Sequence, residues 1–194
     1  MLNIVLFGAP GAGKGTQAKF ITEKYNLGHI STGDIIRAEI KAESALGLEA
    51  KSVVEAGGLL GDGIVIKLIE SHIEKNRSNF AGFLFDGFPR TIGQCHALAE
   101  MMAKLNAEIS ALISLEVPEE ELVNRLLKRA EIEGRKDDTP QGIKNRFDEY
   151  NAKTLPVITF YEEAGKAISV KGTGGIDEIT GLITAQIDKL KSKA

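Results

Sequence analysis

A lysine set among closely spaced glycines is the group best suited to chemistry near the start of the chain. The run is Gly8-Ala9-Pro10-Gly11-Ala12-Gly13-Lys14-Gly15-Thr16. Glycines let backbone N–H groups turn inward around a phosphate chain, and Lys14 adds a mobile positive charge that can follow a phosphoryl group. A glycine-rich turn that binds nothing is the alternative interpretation.

The elements around this loop favour phosphate binding. The apolar, β-branched run Leu2–Phe7 predicts a buried strand before the loop, and residues 18–25 give a helical pattern after it. Strand, glycine-rich loop and helix form the context of a phosphate-binding loop, because the helix N-terminus adds free N–H groups. One position departs from the general pattern. Gly15 stands where a Ser or Thr would hold Mg²⁺, and the hydroxyl comes one place later at Thr16, so another group must help to hold the metal.

A second pattern combines a carboxylate and an arginine at the end of an apolar run. Residues 83–86 predict a strand, and the chain continues as Asp86-Gly87-Phe88-Pro89-Arg90. Asp86 is well placed to hold Mg²⁺, directly or through water, and Arg90 to reach a phosphate between two nucleotides. Gln94 offers an amide donor and acceptor to a base edge. A strand-ending turn with a surface ion pair is the alternative.

Four arginines in the second half of the chain form a third pattern. Arg125 and Arg129 share one face of a helix predicted for residues 119–130, Arg135 lies in the run 134–138, and Arg146 lies on the next helix. Charged helix faces are usually only solvated. Phosphoryl transfer, however, needs cations around the equatorial oxygens. Arg135 is expected to arrive when its loop closes, which would also exclude water.

Two further loops are weaker candidates. Ser31-Thr32-Gly33-Asp34 precedes Arg37, which lies about one helical turn further on and can make a bidentate phosphate contact. A plain helix N-cap is the favoured interpretation of that run by itself. Near the C-terminus, Gly172-Thr173-Gly174-Gly175 could let the backbone approach a purine ring, although a simple loop is favoured on physical grounds alone.

Strand and helix patterns alternate along the 194 residues, which predicts an α/β fold with a parallel sheet. The candidate strands are Leu2–Phe7, a short one near residues 29–30, and residues 83–86, 110–117 and 167–170. Two stretches are interpreted as inserts over the carboxyl edge of the sheet. The first, residues 31–60, is helical and interrupted by Gly47 and Gly57-Gly58, and the second is residues 130–142.

Composition narrows the class of protein. The net charge of −3 argues against a nucleic-acid partner, and 43% hydrophobic residues suffice for a sizeable core. A single cysteine, Cys95, excludes an internal disulfide and a cysteine-based zinc site. The apolar N-terminal stretch has no basic segment before it, and no apolar run is long enough to cross a bilayer. These features predict a cytoplasmic protein without a signal peptide or a membrane partner.

The motifs together resemble those of adenylate kinases in their short-lid form. The phosphate loop, Ser31-Thr32-Gly33-Asp34, Asp86-Gly87-Phe88-Pro89-Arg90 and Gly134-Arg135-Lys136-Asp137-Asp138 occur in the family's order. The resemblance implies a P-loop five-stranded parallel sheet flanked by helices. It implies a core of residues 1–30, 61–125 and 139–194, an AMP-binding insert at 31–60 and a lid at 126–138. The lid is too short for the zinc-binding type and has no cysteines, so no zinc is expected.

The resemblance also implies the reaction ATP + AMP ⇌ 2 ADP with Mg²⁺, in a monomer. By position, ATP would be held by Gly11, Ala12, Gly13, Lys14, Gly15, Thr16, Arg125, Arg129 and the backbone of Gly174. AMP would be held by Thr32, Arg37, Gly58, Leu59, Leu60, Gly87, Phe88, Pro89, Arg90, Gln94, Arg135 and Arg146. The catalytic cations would be Lys14, Arg90, Arg125, Arg135 and Arg146. Asp86 would hold the metal, through its water shell.

Some residues depart from the family pattern. Gly61-Asp62-Gly63 stands where the family usually has a Pro-Asp-Glu-like run, which is expected to loosen that turn. After Asp138 the family tends to show acidic residues, and here Pro140 and Gly142 follow.

A UMP/CMP kinase on the same fold is one alternative, although Thr32 and Gln94 favour adenine. A nucleotide-dependent switch would usually carry an Asn-Lys-x-Asp run, which is missing, and a non-catalytic nucleotide sensor remains open.

Overall fold

The fold is built on a five-stranded parallel sheet. In the computed structural model, which describes residues 1–135 and 137–192, the strand order is β2-β3-β1-β4-β5. The strands are β1 Leu2–Phe7, β2 Leu27–Ser31, β3 Gly82–Asp86, β4 Ala111–Glu116 and β5 Ala167–Lys171. Every pairing in the sheet is parallel. The predicted fold class is therefore confirmed, and each predicted strand overlaps an observed one.

Helices connect the strands and cover both faces of the sheet. They are α1 Lys14–Tyr25, α2 Thr32–Lys41, α3 Ala45–Glu55, α4 Asp62–Asn76, α5 Ile92–Lys104, α6 Glu119–Glu133, α7 Pro140–Glu149, α8 Pro156–Glu163 and α9 Ile176–Lys191. A short π-helical turn, Tyr150–Thr154, joins α7 to α8. Within the described residues, no helix is both long and apolar enough to cross a bilayer.

Alternate residues of the central strand build the two halves of the core. On β1, Val5 and Phe7 pack into one buried cluster, and Ile4 and Leu6 pack into the other. The first cluster includes side chains of α4, α5 and α8, and the second includes side chains of α1 and α9. A strand with helices packed on both faces of its sheet has mainly apolar side chains along its length, which is why β1 could be predicted from the sequence.

The register of the strands aligns the starting points of the candidate loops. Asp86, the last residue of β3, pairs with Leu6 of β1 and with Ser31 of β2. The glycine-rich loop, the loop after Asp86 and helix α2 therefore all begin at one edge of the sheet. This is the carboxyl edge, where ligands bind in open parallel sheets.

The first insert differs from the predicted pattern at Gly47. That glycine does not interrupt a helix but lies in the first turn of α3, and the chain breaks instead at residues 42–44, where Glu43 has a φ of 51°. Position 47 requires glycine because α2 and α3 approach each other too closely there for a side chain. A Cβ on Gly47 would lie 2.1 Å from the carbonyl oxygen of Glu39. The predicted interruption at Gly57 is confirmed, with a φ of 79° just after α3.

The second insert contains more helix than the sequence indicated. Helix α6 was predicted to end near residue 130, but it continues to Glu133 and ends on Gly134, which has a φ of 62°. The N–H of Gly134 donates to the carbonyl of Ala130, closing the last turn. Helix α7 then begins at Pro140 with Thr139 as its N-cap. Lys136, which belongs to the run 134–138, lies outside the described residues, as do residues 193–194 of the predicted core.

Candidate active site

The glycine-rich loop turns sharply between β1 and α1. Gly11 and Gly13 have φ angles of 87° and 93°, which L side chains rarely adopt. Gly11 also lies against α6, where a Cβ would come 2.8 Å from the carbonyl oxygen of Leu122. The loop ends at the N-terminus of α1, with Gly13 as its N-cap. The backbone N–H groups of a helix start form an anion-binding site together with the partial positive charge there.

Lys14 turns back over the loop that precedes it. Its Nζ donates to the carbonyl oxygens of Gly8 at 2.7 Å and Ala9 at 3.1 Å. Burial is the main cause that lowers the pKa of Lys14 to about 8; Arg90 and Arg146 contribute to this shift, and Asp86 opposes it. The charged form of Lys14 is destabilised in this site, and a bound anion would stabilise it.

Arg129 and Arg146 meet on one buried carboxylate. Asp138 is 1% exposed, and it accepts from Nε and Nη2 of Arg129 at 2.7 and 2.8 Å and from Nη1 of Arg146 at 2.6 Å. Asp137 accepts from Arg146 at 2.9 Å. Burial lowers the pKa of Arg146 to about 10. Burial alone would lower the pKa of Arg129 too, but the bonds and charge of Asp138 raise it overall.

Asp86 faces the glycine-rich loop from the end of β3. A Cβ on Gly15 would lie only 3.8 Å from Oδ2 of Asp86, so the missing side chain leaves space beside the carboxylate. His29 is a distant neighbour, with Nε2 3.8 Å from the same oxygen. Among the described residues, no group of three or more His, Cys, Asp and Glu side chains could hold a metal ion. One carboxylate beside a phosphate site fits Mg²⁺, which usually keeps several waters and binds through one or two carboxylates plus phosphates.

The loop after β3 is tied to the start of α2. The hydroxyl of Thr32 donates to the carbonyl of Gly87 at 2.8 Å, and Nε of Arg90 donates to the same oxygen at 2.7 Å. Gly87 has a φ of 76°, and a Cβ there would lie 2.6 Å from the Thr32 hydroxyl. Burial lowers the pKa of Arg90, with Arg37 adding to the effect and Asp86 opposing it.

Arg37 lies on α2, and Gln94 lies on α5, the helix that follows this loop. Arg37 is ion-paired with Asp34 on the first turn of α2, and Ser31 caps that helix by accepting from the Asp34 N–H at 3.3 Å. Gln94 is 2% exposed. Its Oε1 accepts from the backbone N–H of Arg90 at 2.8 Å, and its Nε2 donates to Asp62 at 2.8 Å.

Two pockets adjoin at the carboxyl edge of the sheet. The smaller pocket, of about 130 Å³, is lined by all but one of the predicted AMP contacts: Thr32, Arg37, Gly58, Leu59, Leu60, Gly87, Phe88, Pro89, Arg90, Gln94 and Arg146. The larger, of about 900 Å³, is lined by Asp86 and all the predicted ATP contacts: Gly11, Ala12, Gly13, Lys14, Gly15, Thr16, Arg125, Arg129 and Gly174. Lys14, Arg90 and Arg146 belong to both linings.

Arg135 is the one predicted AMP contact that does not line the smaller pocket. It lines the larger one, and its Nε donates to Glu133 at 2.9 Å. Arg125 joins two loops of the larger pocket, because its guanidinium donates to the carbonyls of Ala12 at 3.4 Å and Gly172 at 3.0 Å. Gly174, with a φ of 121°, lines the same pocket.

Three residues of the site were not selected from the sequence. Asp138 was noted only as part of a family motif, although a paired acid in an arginine-rich stretch is a usable signal for a buried ion pair. Asp62 was noted only as part of the run Gly61-Asp62-Gly63, because its contacts with Thr91 and Gln94 join parts of the chain that are far apart in sequence. Tyr150 lines the smaller pocket and packs against Phe7 in a tilted pair with ring centroids 5.8 Å apart, a contact that the sequence could not indicate.

The sheet, the glycine-rich loop and the shared cations define a phosphate-loop α/β protein with room for two ligands. The chain matches the family model described as adenylate kinase over residues 6–166. It is 50% identical over 191 residues to an adenylate kinase of Flavobacterium psychrophilum, covering 98% of this chain and 100% of the relative. It is 48% identical over 188 residues to an adenylate kinase of Leptospira biflexa, covering 96% and 100%. The chain therefore belongs to the adenylate kinase family.

Proposed function

We propose that the protein catalyses the reversible, Mg²⁺-dependent transfer of a phosphoryl group between ATP and AMP, giving two molecules of ADP. The observation that carries the proposal is the pair of adjoining pockets with Lys14, Arg90 and Arg146 in both linings. A reaction that joins two anionic nucleotides needs its cations where the two phosphate chains meet. The adenylate kinase names of the relatives support the same assignment.

In this account ATP occupies the larger pocket, with its phosphates on the backbone of residues 11–16, and AMP occupies the smaller one. The acceptor oxygen of AMP is already an anion, so no general base is required, and catalysis consists of positioning and charge neutralisation. Lys14 follows the phosphoryl group as it moves. Arg90 aligns donor and acceptor, while Arg125 and Arg146 neutralise charge that develops on the equatorial oxygens.

The proposed metal partner is Asp86. Mg²⁺ bound with ATP would supply positive charge that neutralises the charge developing on the phosphate oxygens. Asp86 would hold its water shell, because this carboxylate lies beside the gap that Gly15 leaves in the loop. Thr16 lines the same pocket and offers a hydroxyl.

Residues 126–138 are proposed to act as a lid and residues 31–60 as the AMP-binding unit. Arg135, which now pairs with Glu133, would exchange that exposed partner for phosphate oxygens when the lid closes. The exchange costs little, because Glu133 is half exposed and surface ion pairs are worth about 0–1 kcal/mol. Closure would also keep water from the phosphoryl group. Monomeric state and cytoplasmic location stay predictions from the sequence.

The test is ADP formation from Mg²⁺ and ATP with AMP, CMP, UMP or GMP offered one at a time. Transfer to AMP well above the other three is the expected result. Faster transfer to CMP or UMP would overturn the substrate assignment and leave a pyrimidine monophosphate kinase. ATP binding without transfer to any acceptor would contradict the reaction and indicate a nucleotide sensor.

A further inference from the structure

The side chain of Gln94 is held at both ends of its amide. Its oxygen accepts from the backbone N–H of Arg90 at 2.8 Å, and its nitrogen donates to Oδ1 of Asp62 at 2.8 Å. The other carboxylate oxygen of Asp62 accepts from the hydroxyl of Thr91 at 2.7 Å. Thr91 in turn caps α5 by accepting from the backbone N–H of Gln94 at 3.2 Å. The four residues therefore form one connected network.

This network allows only one orientation of the amide. A backbone N–H can only donate, and an ionised carboxylate can only accept. If the amide turned over, its nitrogen would face the Arg90 N–H and its oxygen would face the Asp62 carboxylate. Two donors would then meet at one end and two acceptors at the other, in a place where Gln94 is 2% exposed and water cannot replace the lost bonds.

The held amide still has bonding capacity toward the smaller pocket. An amide nitrogen has two hydrogens and an amide oxygen accepts twice, so each end keeps one bond after the network is satisfied. Gln94 lines the pocket, whereas Asp62 does not. Of the residues that the Asp62 side chain bonds, Gln94 is the one that lines the pocket.

We propose that Asp62 is a positioning residue that selects a 6-amino purine monophosphate over a 6-oxo purine by fixing the orientation of the Gln94 amide. The inference rests on the proposed binding of AMP in the smaller pocket. Adenine offers an acceptor at N1 beside a donor at N6, which the fixed amide matches with its nitrogen and oxygen. A 6-oxo purine offers a donor at N1 beside an acceptor at O6, and it would match only the amide turned over.

Local backbone features support a dedicated role for Asp62. Gly93, on the first turn of α5, leaves room for the carboxylate, because a Cβ there would lie 3.1 Å from Oδ2 of Asp62. Gly61 and Gly63 on either side have open space where a Cβ would stand. The turn that was expected to be loosened by two glycines is thus fixed through the side chain between them.

The test compares kcat/KM for AMP with kcat/KM for IMP, its 6-oxo analogue. In Asp62→Ala the amide loses its acceptor partner, and we expect the ratio of the two values to fall about tenfold, with a raised KM for AMP and an unchanged KM for ATP. Asp62→Asn, whose oxygen can still accept from Gln94, should stay within about threefold of the wild-type ratio. Asp62→Ser is the second disruptive variant, should alanine fold poorly, because it keeps a polar side chain at the helix start.

The matched control is Glu120→Ala, which also removes a carboxylate from the first turn of a helix, in this case an exposed one. Its ratio should equal that of the wild type. An unchanged ratio in Asp62→Ala would overturn the inference and leave the proposed function intact. If the activities toward AMP and IMP fell equally, the role of Asp62 would be merely structural; if neither fell, Asp62 would have no role in the site. Wild-type protein that transfers nothing to AMP would instead overturn the proposed function and this inference with it.

Discussion

Asp138 and Arg146 form an ion pair with Oδ1 and Nη1 2.6 Å apart and no exposed surface on the carboxylate side chain, and Arg146 lines both pockets of the candidate active site. The same carboxylate holds Arg129 through two parallel bonds. One buried anion therefore spaces two cations that would otherwise repel each other. This arrangement keeps both guanidinium groups in place before any phosphate arrives, which is the preorganisation that phosphoryl transfer needs.

Asp138→Ala should destabilise the fold by about 3 kcal/mol, because removing one partner of a buried ion pair leaves uncompensated buried charge. The free energy of unfolding in a denaturant titration measures the effect. Glu133→Ala is the control, since it removes a half-exposed carboxylate paired with Arg135 in the same segment. It should cost about 1 kcal/mol or less. Equal costs for the two variants would contradict the structural role given to Asp138.

ATP affinity should fall as the pH rises through about 8, the pKa of Lys14 in the folded protein. Bound phosphates favour the charged lysine, so binding above this pH must take up a proton, and affinity can fall up to about tenfold per pH unit. Calorimetric titrations at pH 7, 8 and 9 measure the slope. In Lys14→Met the affinity should be lower but lose this dependence. A slope that persists in the variant would assign the titration to another group.

The same shift affects stability without ligand. The depressed pKa means that the folded protein binds fewer protons than the unfolded chain between about pH 8 and the ordinary lysine value of 10.5. The contribution of Lys14 to the free energy of unfolding should therefore increase with pH across that window. Thermal melting of the wild type and Lys14→Met across this pH range measures the effect. The rise in stability that Lys14 contributes should be missing from the variant.

Asp86→Asn should raise the Mg²⁺ concentration needed for half-maximal transfer by about tenfold, since an amide is a weaker ligand and a weaker acceptor for metal-bound water. Activity titrated with Mg²⁺ at fixed ATP gives the value. Asp34→Asn, which also changes a carboxylate lining the larger pocket, is the control. Its Mg²⁺ requirement should match the wild type, and a shift as large as that of Asp86→Asn would remove the special role of Asp86.

Two glycine substitutions should have opposite effects on stability. Gly181 lies exposed inside α9 with open space for a Cβ, so Gly181→Ala should stabilise the protein by about 0.5–1 kcal/mol. Gly47→Ala should destabilise it, because the new Cβ would meet the backbone of Glu39 at 2.1 Å. Unfolding free energies of the two variants provide the comparison, and a stabilising Gly47→Ala would contradict the close approach of α2 and α3.

The strands and the phosphate loop could be predicted because local chemistry determines them. The run Leu2–Phe7 is buried on both faces, and the glycines after it adopt angles that few other residues tolerate. Gly47 was misinterpreted because a glycine required by tertiary contact looks the same in sequence as one that ends a helix. Helix α6 extends past residue 130 because Gly134, rather than the charged residues before it, provides the helix end.

The sequence predicted residues that line the two pockets, but it did not predict the bonds between them. The smaller pocket is lined by Thr32, Arg90 and Gln94, as the motifs indicated. The sequence could not predict the hydrogen bond between Gln94 and Asp62. The two residues are 32 positions apart, and a contact over that distance produces no pattern in the local sequence. The burial of Asp138 likewise depends on how α6 and α7 pack.

The most direct test of the account follows the labelled γ-phosphoryl group of ATP into ADP in the presence of AMP, with wild type and Arg90→Ala compared. Arg90 lines both pockets, and its loss should slow transfer about 100-fold, roughly 3 kcal/mol in the barrier, while the ATP affinity changes little. Label moving to AMP at the wild-type rate in the variant would contradict transfer at the junction of the two pockets.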